Sequence, residues 1–206
     1  MAMGEGRKQM KLGFDIDGVI FNFVRTFSEL VEEKYSIRLK ETDIYCHDLN
    51  LVLGITITER NQLITETLKQ DLQLNSGAKE TLEKLCLEGH KIYLLTARYD
   101  FLAEVTESWL RKKGIPYTEL VQLNEGKKYY AKIDLDLIVE DCLEDALEWS
   151  QKIKNVLVYD HPWNQTLNVK HLIKRVYSWK EIYEEIQRLN AQSGFLRTGE
   201  QLHQLS

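Results

Sequence analysis

Five short apolar runs alternate with amphipathic helical patterns along most of the chain, and this alternation limits the folds available to it. The runs cover residues 12–14, 92–95, 120–123, 137–139 and 156–159. The helical patterns between them place on one face Ala78, Leu82 and Leu85, then Leu102, Val105 and Trp109, and then Leu143, Ala146 and Leu147. Strands that alternate with helices predict an α/β fold with a parallel, doubly wound sheet. Runs without polar alternation are typical of strands that are buried on both faces.

Two regions interrupt the alternation. Residues 21–75 contain no clear strand, and their apolar spacing predicts a helical insertion after the first strand. Near the C-terminus, Ser178 and Glu181 form a capping box that predicts the start of a helix. We therefore expect a core made of residues 11–20 and 76–190, a helical segment 21–75, and loosely ordered tails at 1–10 and 191–206.

Polar residues come directly after every one of the five apolar runs. Asp15 and Asp17 come after the first, with Gly18 next to them. The residues after the other four runs include Thr96, Ala97 and Arg98; Asn124, Gly126, Lys127 and Lys128; Glu140, Asp141 and Asp145; and Asp160, His161 and Asn164. An Asp-x-Asp-Gly sequence also suits the turn of a hairpin, but a hairpin does not explain the other four strand ends. The carboxyl ends of parallel strands share one edge of a sheet, where ligands bind.

The residue types at this predicted edge suit the transfer of a phosphoryl group. Carboxylates are the ligands of a hard cation such as Mg²⁺, which substrate phosphate can complete. A sharp turn at Gly18 lets Asp15 and Asp17 approach one centre, as nucleophile and general acid. Thr96 precedes a predicted helix, whose N–H groups suit an anion. A lysine from the third strand end would add positive charge next to the phosphate.

The overall composition limits the partners. The 206 residues carry a net charge of −5, which argues against a nucleic-acid partner. No apolar run approaches 18 residues and the first ten residues contain no apolar leader, so we expect a soluble cytoplasmic protein without a membrane partner. The scattered cysteines Cys46, Cys86 and Cys142 predict buried, reduced thiols. A homodimer remains open.

The segments "FDIDGVI", "YLLTAR" and "IVEDCLEDA", with a lysine between the last two, resemble the four motifs of the haloacid dehalogenase-like phosphohydrolases. The resemblance covers about residues 11–188. Together with "YDHPWN" at 159–164, it is strongest to the branch that contains the 5'(3')-deoxyribonucleotidases. It implies a sheet with strand order 5-4-1-2-3, in which a small helical cap is inserted after the first motif.

The resemblance also implies roles for individual residues. Asp15 would form an aspartyl-phosphate, and Asp17 would protonate the leaving group and then activate water. Mg²⁺ would be held by Asp15, the backbone carbonyl of Asp17 and Asp141. Supporting residues would be Glu140 and Asp145, and phosphate ligands would be Thr96, Ala97 and a lysine, for which Lys127 is favoured over Lys128 and Lys132.

The substrate is less tightly specified by the sequence. Candidate contacts to its organic half are Phe21, Asn22, Phe23, Arg98, His161 and Asn164. The aromatic residues favour a nucleoside monophosphate, although they also suit packing between the core and the helical segment. A phosphatase of another small metabolite, such as a sugar phosphate, is the alternative. A third possibility is a phosphate-binding protein of low turnover, against which the second aspartate argues.

Overall fold

The structure is a computed structural model that describes residues 8–46, 48–123, 132–165 and 173–203, with side chains up to residue 192. Six strands form one sheet: β1 Lys11–Asp15, β2 Lys91–Thr96, β3 Glu119–Gln122, β4 Leu137–Glu140, β5 Val156–Tyr159 and β6 Lys174–Val176. The strand order is β3-β2-β1-β4-β5-β6, and all neighbouring strands are parallel. The predicted α/β class and the order of the first five strands are confirmed. Strand β6 is an addition to the prediction, because three residues that include Lys174 and Arg175 do not form an apolar run.

Helices cover the sheet, and their buried faces largely agree with the predicted periodicity. The helices of the core are α4 Ala78–Leu87, α5 Ala103–Lys113, α6 Leu143–Ser150 and α7 Trp179–His203. Helix α4 buries the predicted Ala78, Leu82 and Leu85. Helix α7 begins as predicted, with the Ser178 hydroxyl accepting from the Glu181 N–H at 3.2 Å. It continues beyond residue 190 to His203, and no proline comes after Pro162 to stop it.

The segment 21–75 is helical, and its two ends lie side by side on the core. It contains α1 Phe23–Tyr35, a 3-10 helix at Glu41–Asp43, α2 Leu49–Leu53 and α3 Ile57–Thr67. At its base the Asn22 N–H donates to the Gln73 carbonyl at 2.8 Å, and the Asn75 N–H donates to the Ile20 carbonyl at 2.8 Å. The segment therefore leaves and rejoins the core at nearly the same place.

The segment has an apolar cluster of its own, which one residue of the core joins. The cluster comprises Val24, Phe27, Leu30, Val31, Ile44, Leu49, Leu63 and Trp163. Trp163 lies in the loop after β5, so this loop packs the segment against the edge of the sheet. In the described part of the chain, no helix combines the length and apolar character needed to cross a bilayer.

The strand register brings the polar strand ends together. Asp15 pairs with Leu95, so Thr96 lies one residue further along β2. Phe14 pairs with Val139, so Glu140 and Asp141 lie just beyond it on the other side of β1. Burial of Leu12 and Phe14 on the central strand holds this register.

Candidate active site

A tight turn that contains Gly18 follows β1 and lies against Asp141. Gly18 has φ +84°, and the amides of Ile20 and Phe21 both donate to the Ile16 carbonyl, at 3.0 and 2.9 Å. A Cβ atom at Gly18 would lie 2.1 Å from Oδ2 of Asp141. Glycine is therefore required both for the backbone conformation and for the close approach of the turn to Asp141.

Three buried carboxylates meet below this turn. One oxygen from each of Asp15, Glu140 and Asp141 lies within 4.8 Å of the others, and the residues are 4%, 0% and 7% exposed. Burying like charges this closely is costly unless a cation or a proton compensates them. A set made only of carboxylate oxygens suits a hard divalent cation. The site thus fits the predicted Mg²⁺. Glu140, which is predicted only to support the metal ligands, lies within the same cluster as Asp15 and Asp141.

Indole groups orient two of these carboxylates. Trp149 donates its Nε1–H to Oε1 of Glu140 at 3.0 Å, and Trp163 donates its Nε1–H to Oδ2 of Asp141 at 3.2 Å. Asn164 donates to the Asp141 carbonyl at 2.9 Å. Partners of this kind fix the direction of metal ligands, and their loss weakens metal affinity or activity.

Asp17 pairs with Arg98 and is not a member of the cluster of three carboxylates. Arg98 donates from Nε to Oδ2 at 2.8 Å and from Nη2 to Oδ1 at 2.7 Å, a two-pronged ion pair. The side chain of Asp17 is 28% exposed, whereas that of Arg98 is 2% exposed. The predicted metal contact of Asp17 through its backbone carbonyl remains a prediction.

The predicted phosphate ligands are only partly described. Thr96 is buried, and its hydroxyl accepts from the backbone N–H of Arg98 at 3.2 Å. Ala97 lines the cavity beside the carboxylates, as does Asp145, the second supporting residue. Lys127 and Lys128 lie outside the described residues.

The substrate candidates occupy different environments. Phe23 and Arg98 line the cavity. Phe21 is fully buried and packs on Trp109, with ring centroids 5.6 Å apart, and Asn22 caps α1 by accepting from the Arg25 N–H.

His161 and Asn164 are also buried in contacts within the protein. His161 stacks on Trp163 at 4.1 Å, and its Nε2 lies 2.9 Å from the Gly18 carbonyl, to which it can only donate. Asn164 donates to the carbonyls of Asp141 and Tyr159. Both residues therefore support the loops around the site.

The cavity above the carboxylates has a volume of about 410 Å³ and two chemically distinct ends. Its polar end is formed by the strand ends of the core. The opposite wall comes from the segment 21–75 and is apolar apart from one arginine and a thiol; its residues are Phe23, Val24, Ile44, Cys46, Leu49, Arg60, Ile64 and Leu68. A phosphate ester of a larger organic group matches this division.

Arg60 also lines the cavity, although the sequence does not mark it as a site residue. Its side chain is 19% exposed, its Nε and Nη2 donate to Oδ1 of Asn61 at 3.1 and 2.9 Å, and its Nη1 lies 3.4 Å from Oδ1 of Asp48. No motif surrounds it in the sequence. An arginine on a surface helix is usually solvated, and only the packing of α3 over the strand ends brings it to the cavity.

The three cysteines are free thiols, although each is half-buried rather than fully buried. Burial, with the nearby Asp145 carboxylate as the next cause, raises the pKa of Cys142 far above the range in which a thiolate forms. This favours a packed, protonated thiol over a nucleophile at Cys142, although it lines the cavity.

Comparison with solved structures identifies the class to which this fold belongs. A haloacid dehalogenase-like protein of Agrobacterium tumefaciens superposes with a TM-score of 0.60 at 12% identity, over 88% of this chain and 99% of the other. A haloacid dehalogenase-like hydrolase of Xanthomonas campestris superposes with a TM-score of 0.57 at 14% identity, over 92% and 99%. The fold is that of the haloacid dehalogenase-like hydrolases.

Sequence comparison narrows the class to a family. The profile described as "5' nucleotidase, deoxy (Pyrimidine), cytosolic type C protein" matches residues 8–193, and the chain belongs to this family. A nucleotidase of Clostridium acetobutylicum is 29% identical over 187 residues, which make up 88% of this chain and 96% of that protein. The protein is thus a hydrolase of phosphate monoesters, and its substrate is a small phosphorylated molecule.

Proposed function

We propose that the protein hydrolyses a nucleoside monophosphate through a phosphorylated Asp15. The observation that carries the proposal is the position of Asp15 at the end of β1, in the carboxylate cluster and at the polar end of the cavity. The names of the family and of its Clostridium relative support a nucleotide as substrate. The free cysteines are compatible with action in a reducing cytoplasm.

The reaction proceeds in two steps. First, a carboxylate oxygen of Asp15 bonds to phosphorus while the bond from phosphorus to the leaving oxygen breaks. The leaving oxygen keeps the electron pair and takes the proton of Asp17. Asp17 then takes a proton from water, and the water oxygen bonds to phosphorus as the bond to Asp15 breaks. Inorganic phosphate leaves, and both side chains return to their starting states.

Mg²⁺ held by Asp15, Asp141 and the Asp17 carbonyl, with Glu140 beside them, would neutralise the phosphoryl oxygens. The indole groups of Trp149 and Trp163 keep Glu140 and Asp141 in place beside Asp15. Thr96, Ala97 and one of Lys127 and Lys128 complete the proposed phosphate site. Low exposure of the cluster limits access of water to the nucleophile.

The segment 21–75 would act as the cap that chooses the substrate. The residues at the strand ends would bind the phosphate and the metal, which are common to all such substrates. They would therefore not distinguish one organic half from another. Phe23 is an aromatic side chain of this segment that lines the cavity, whereas Phe21 is packed inside. Stacking of a base on Phe23 would contribute about 1–3 kcal/mol.

Phosphate release with Mg²⁺ across nucleoside monophosphates, sugar phosphates and p-nitrophenyl phosphate tests the reaction and the substrate class together. We expect Asp15→Asn to abolish turnover while the protein stays folded. The matched control is Asp134→Asn, since the Asp134 side chain is 94% exposed and lies outside the cavity. A folded Asp15→Asn protein with wild-type turnover would refute the role of Asp15 as the nucleophile. Undiminished turnover in the presence of a chelator would refute the requirement for a metal.

Phe23→Ala tests whether the cavity wall formed by segment 21–75 selects the substrate. We expect about a ten- to hundred-fold fall in kcat/KM on a nucleotide and little change on p-nitrophenyl phosphate. Phe101→Ala is the control, because Phe101 is 65% exposed and lies outside this cavity. Equal losses on both substrates would assign Phe23 to packing and favour another metabolite. Binding of phosphate without turnover of any ester would favour the phosphate-binding alternative.

A further inference from the structure

Arg98 is too deeply engaged to serve as a substrate ligand. Its side chain is 2% exposed, and three of its nitrogens already have protein partners. Two of them hold both oxygens of Asp17, at 2.7 and 2.8 Å, and Nη1 donates to Oγ1 of Thr106 at 3.0 Å. The two N–H groups that hold Asp17 are therefore not available to a phosphate while this pair is closed.

The surroundings of Arg98 fix it from several directions. Its guanidinium carbon lies 5.0 Å from the ring centroid of Trp109 and 6.0 Å from that of Phe21. Its backbone N–H donates to Thr96, and its carbonyl accepts from Gln122 at 3.1 Å. Strand β2, strand β3 and helix α5 therefore position one side chain whose guanidinium reaches Asp17.

Asp17 itself is held less firmly than Arg98. It lies in the loop between β1 and the segment 21–75, and its side chain is 28% exposed. A carboxylate on such a loop can rotate, whereas proton transfer requires it to be held within hydrogen-bond reach of the leaving oxygen. A displacement of about 1 Å in a catalytic group can lower the rate about 100-fold.

We infer that Arg98 is a positioning residue that directs the carboxyl group of Asp17 in both proton transfers. The inference rests on the proposed function. When Asp17 carries the proton for the leaving group, one of its oxygens holds that proton and the other still accepts from Arg98. When Asp17 is a carboxylate, both prongs engage, as in this structure. The rigid fork of arginine makes this possible, and lysine, with a single nitrogen, cannot reproduce it.

The inference predicts a particular kinetic pattern for Arg98→Met. On an alkyl phosphate such as a nucleotide, kcat should fall about 100-fold while KM stays within about twofold. With p-nitrophenyl phosphate, whose leaving group needs no proton, a burst of one nitrophenolate per protein should remain before a slow steady state. Arg98→Lys keeps the charge but loses the two-pronged geometry, and its kcat should lie between those of the wild type and Arg98→Met.

Comparison with Asp17→Asn separates positioning from a structural role. If Arg98 acts through Asp17, adding Arg98→Met to the Asp17→Asn protein should lower kcat by less than about a further twofold. Arg111→Met is the matched control, since Arg111 is exposed on the same helix α5 that packs on Arg98. It should leave the rates on the alkyl phosphate and on p-nitrophenyl phosphate unchanged. Thermal unfolding checks that each variant is folded.

Thr106→Val keeps the inference testable if Arg98→Met does not fold. It removes the acceptor of Arg98 Nη1 without reaching the substrate, and kcat on the alkyl phosphate should fall about fivefold at unchanged KM. An unchanged kcat in a folded Thr106→Val protein would overturn the inference. So would a raised KM at constant kcat in Arg98→Met, or losses that add fully to those of Asp17→Asn. None of these outcomes affects Asp15, whereas an active Asp15→Asn protein would refute the proposed function itself.

Discussion

Gly18→Ala tests whether the turn after β1 is shaped to accommodate Asp141. An added Cβ would lie 2.1 Å from Oδ2 of Asp141, whereas real Cβ contacts essentially never fall below 3.0 Å, so the carboxylate must move by about 0.9 Å. Metal–ligand distances tolerate only about 0.2 Å. We therefore expect Mg²⁺ affinity to fall by at least the ten- to hundred-fold that disturbed ligand support costs.

The backbone cost of the same change can be separated by a matched control. A non-glycine residue at positive φ costs about 1–2 kcal/mol, and in a chain of this size each kcal/mol shifts Tm by about 2–4 °C. Gly54→Ala has the same cost at φ +65°, but a Cβ there meets nothing within 4 Å. Both variants should therefore lose about 2–8 °C in Tm.

Calorimetric titration with Mg²⁺, together with phosphate release, distinguishes the two variants. Only Gly18→Ala should lose metal affinity and activity, while Gly54→Ala should match the wild type in both. A Gly18→Ala protein that binds Mg²⁺ with unchanged affinity would show that Asp141 is not a ligand or that the turn can rearrange without moving it.

Two further predictions concern charged residues outside the carboxylate cluster. Arg60→Ala should raise KM for the substrate about tenfold with kcat nearly constant. Arg60 lines the cavity wall that, under the proposed function, would contact the non-reacting half of the substrate; a fall in kcat alone in steady-state kinetics would contradict this. Hydrogen bonding from Arg188, with the Lys174 ammonium as a further cause, lowers the pKa of the buried Glu185 from 4.5 to about 2. The folded protein therefore gains stability from the ionised form above pH 4.5 and loses it as pH falls towards 2. Denaturant unfolding should show that Glu185→Gln removes on the order of 1–2 kcal/mol of this pH dependence, after screening around the exposed cations is allowed for.

Local patterns are sufficient to predict the sheet and its polar edge. The apolar runs predict five of the six strands, and the order of those five agrees with the resemblance. Strand β6 is not predicted, because a three-residue edge strand that contains Lys174 and Arg175 has no distinctive apolar pattern. Periodicity also predicts the buried face of α4, since apolar residues three or four positions apart lie on one face of a helix whatever it packs against.

The sequence by itself determined which groups stand at the carboxyl ends of the strands, because the order of residues along a strand decides which side chains come after its last buried position. Asp15, Thr96, Glu140 and Asp141 were identifiable for this reason. Only the tertiary structure decided which of these side chains meet. Asp17 pairs with Arg98, 81 residues away along the chain, and α3 brings Arg60 to the cavity. Such contacts depend on how separate elements pack in space, and neither spacing nor periodicity records that packing.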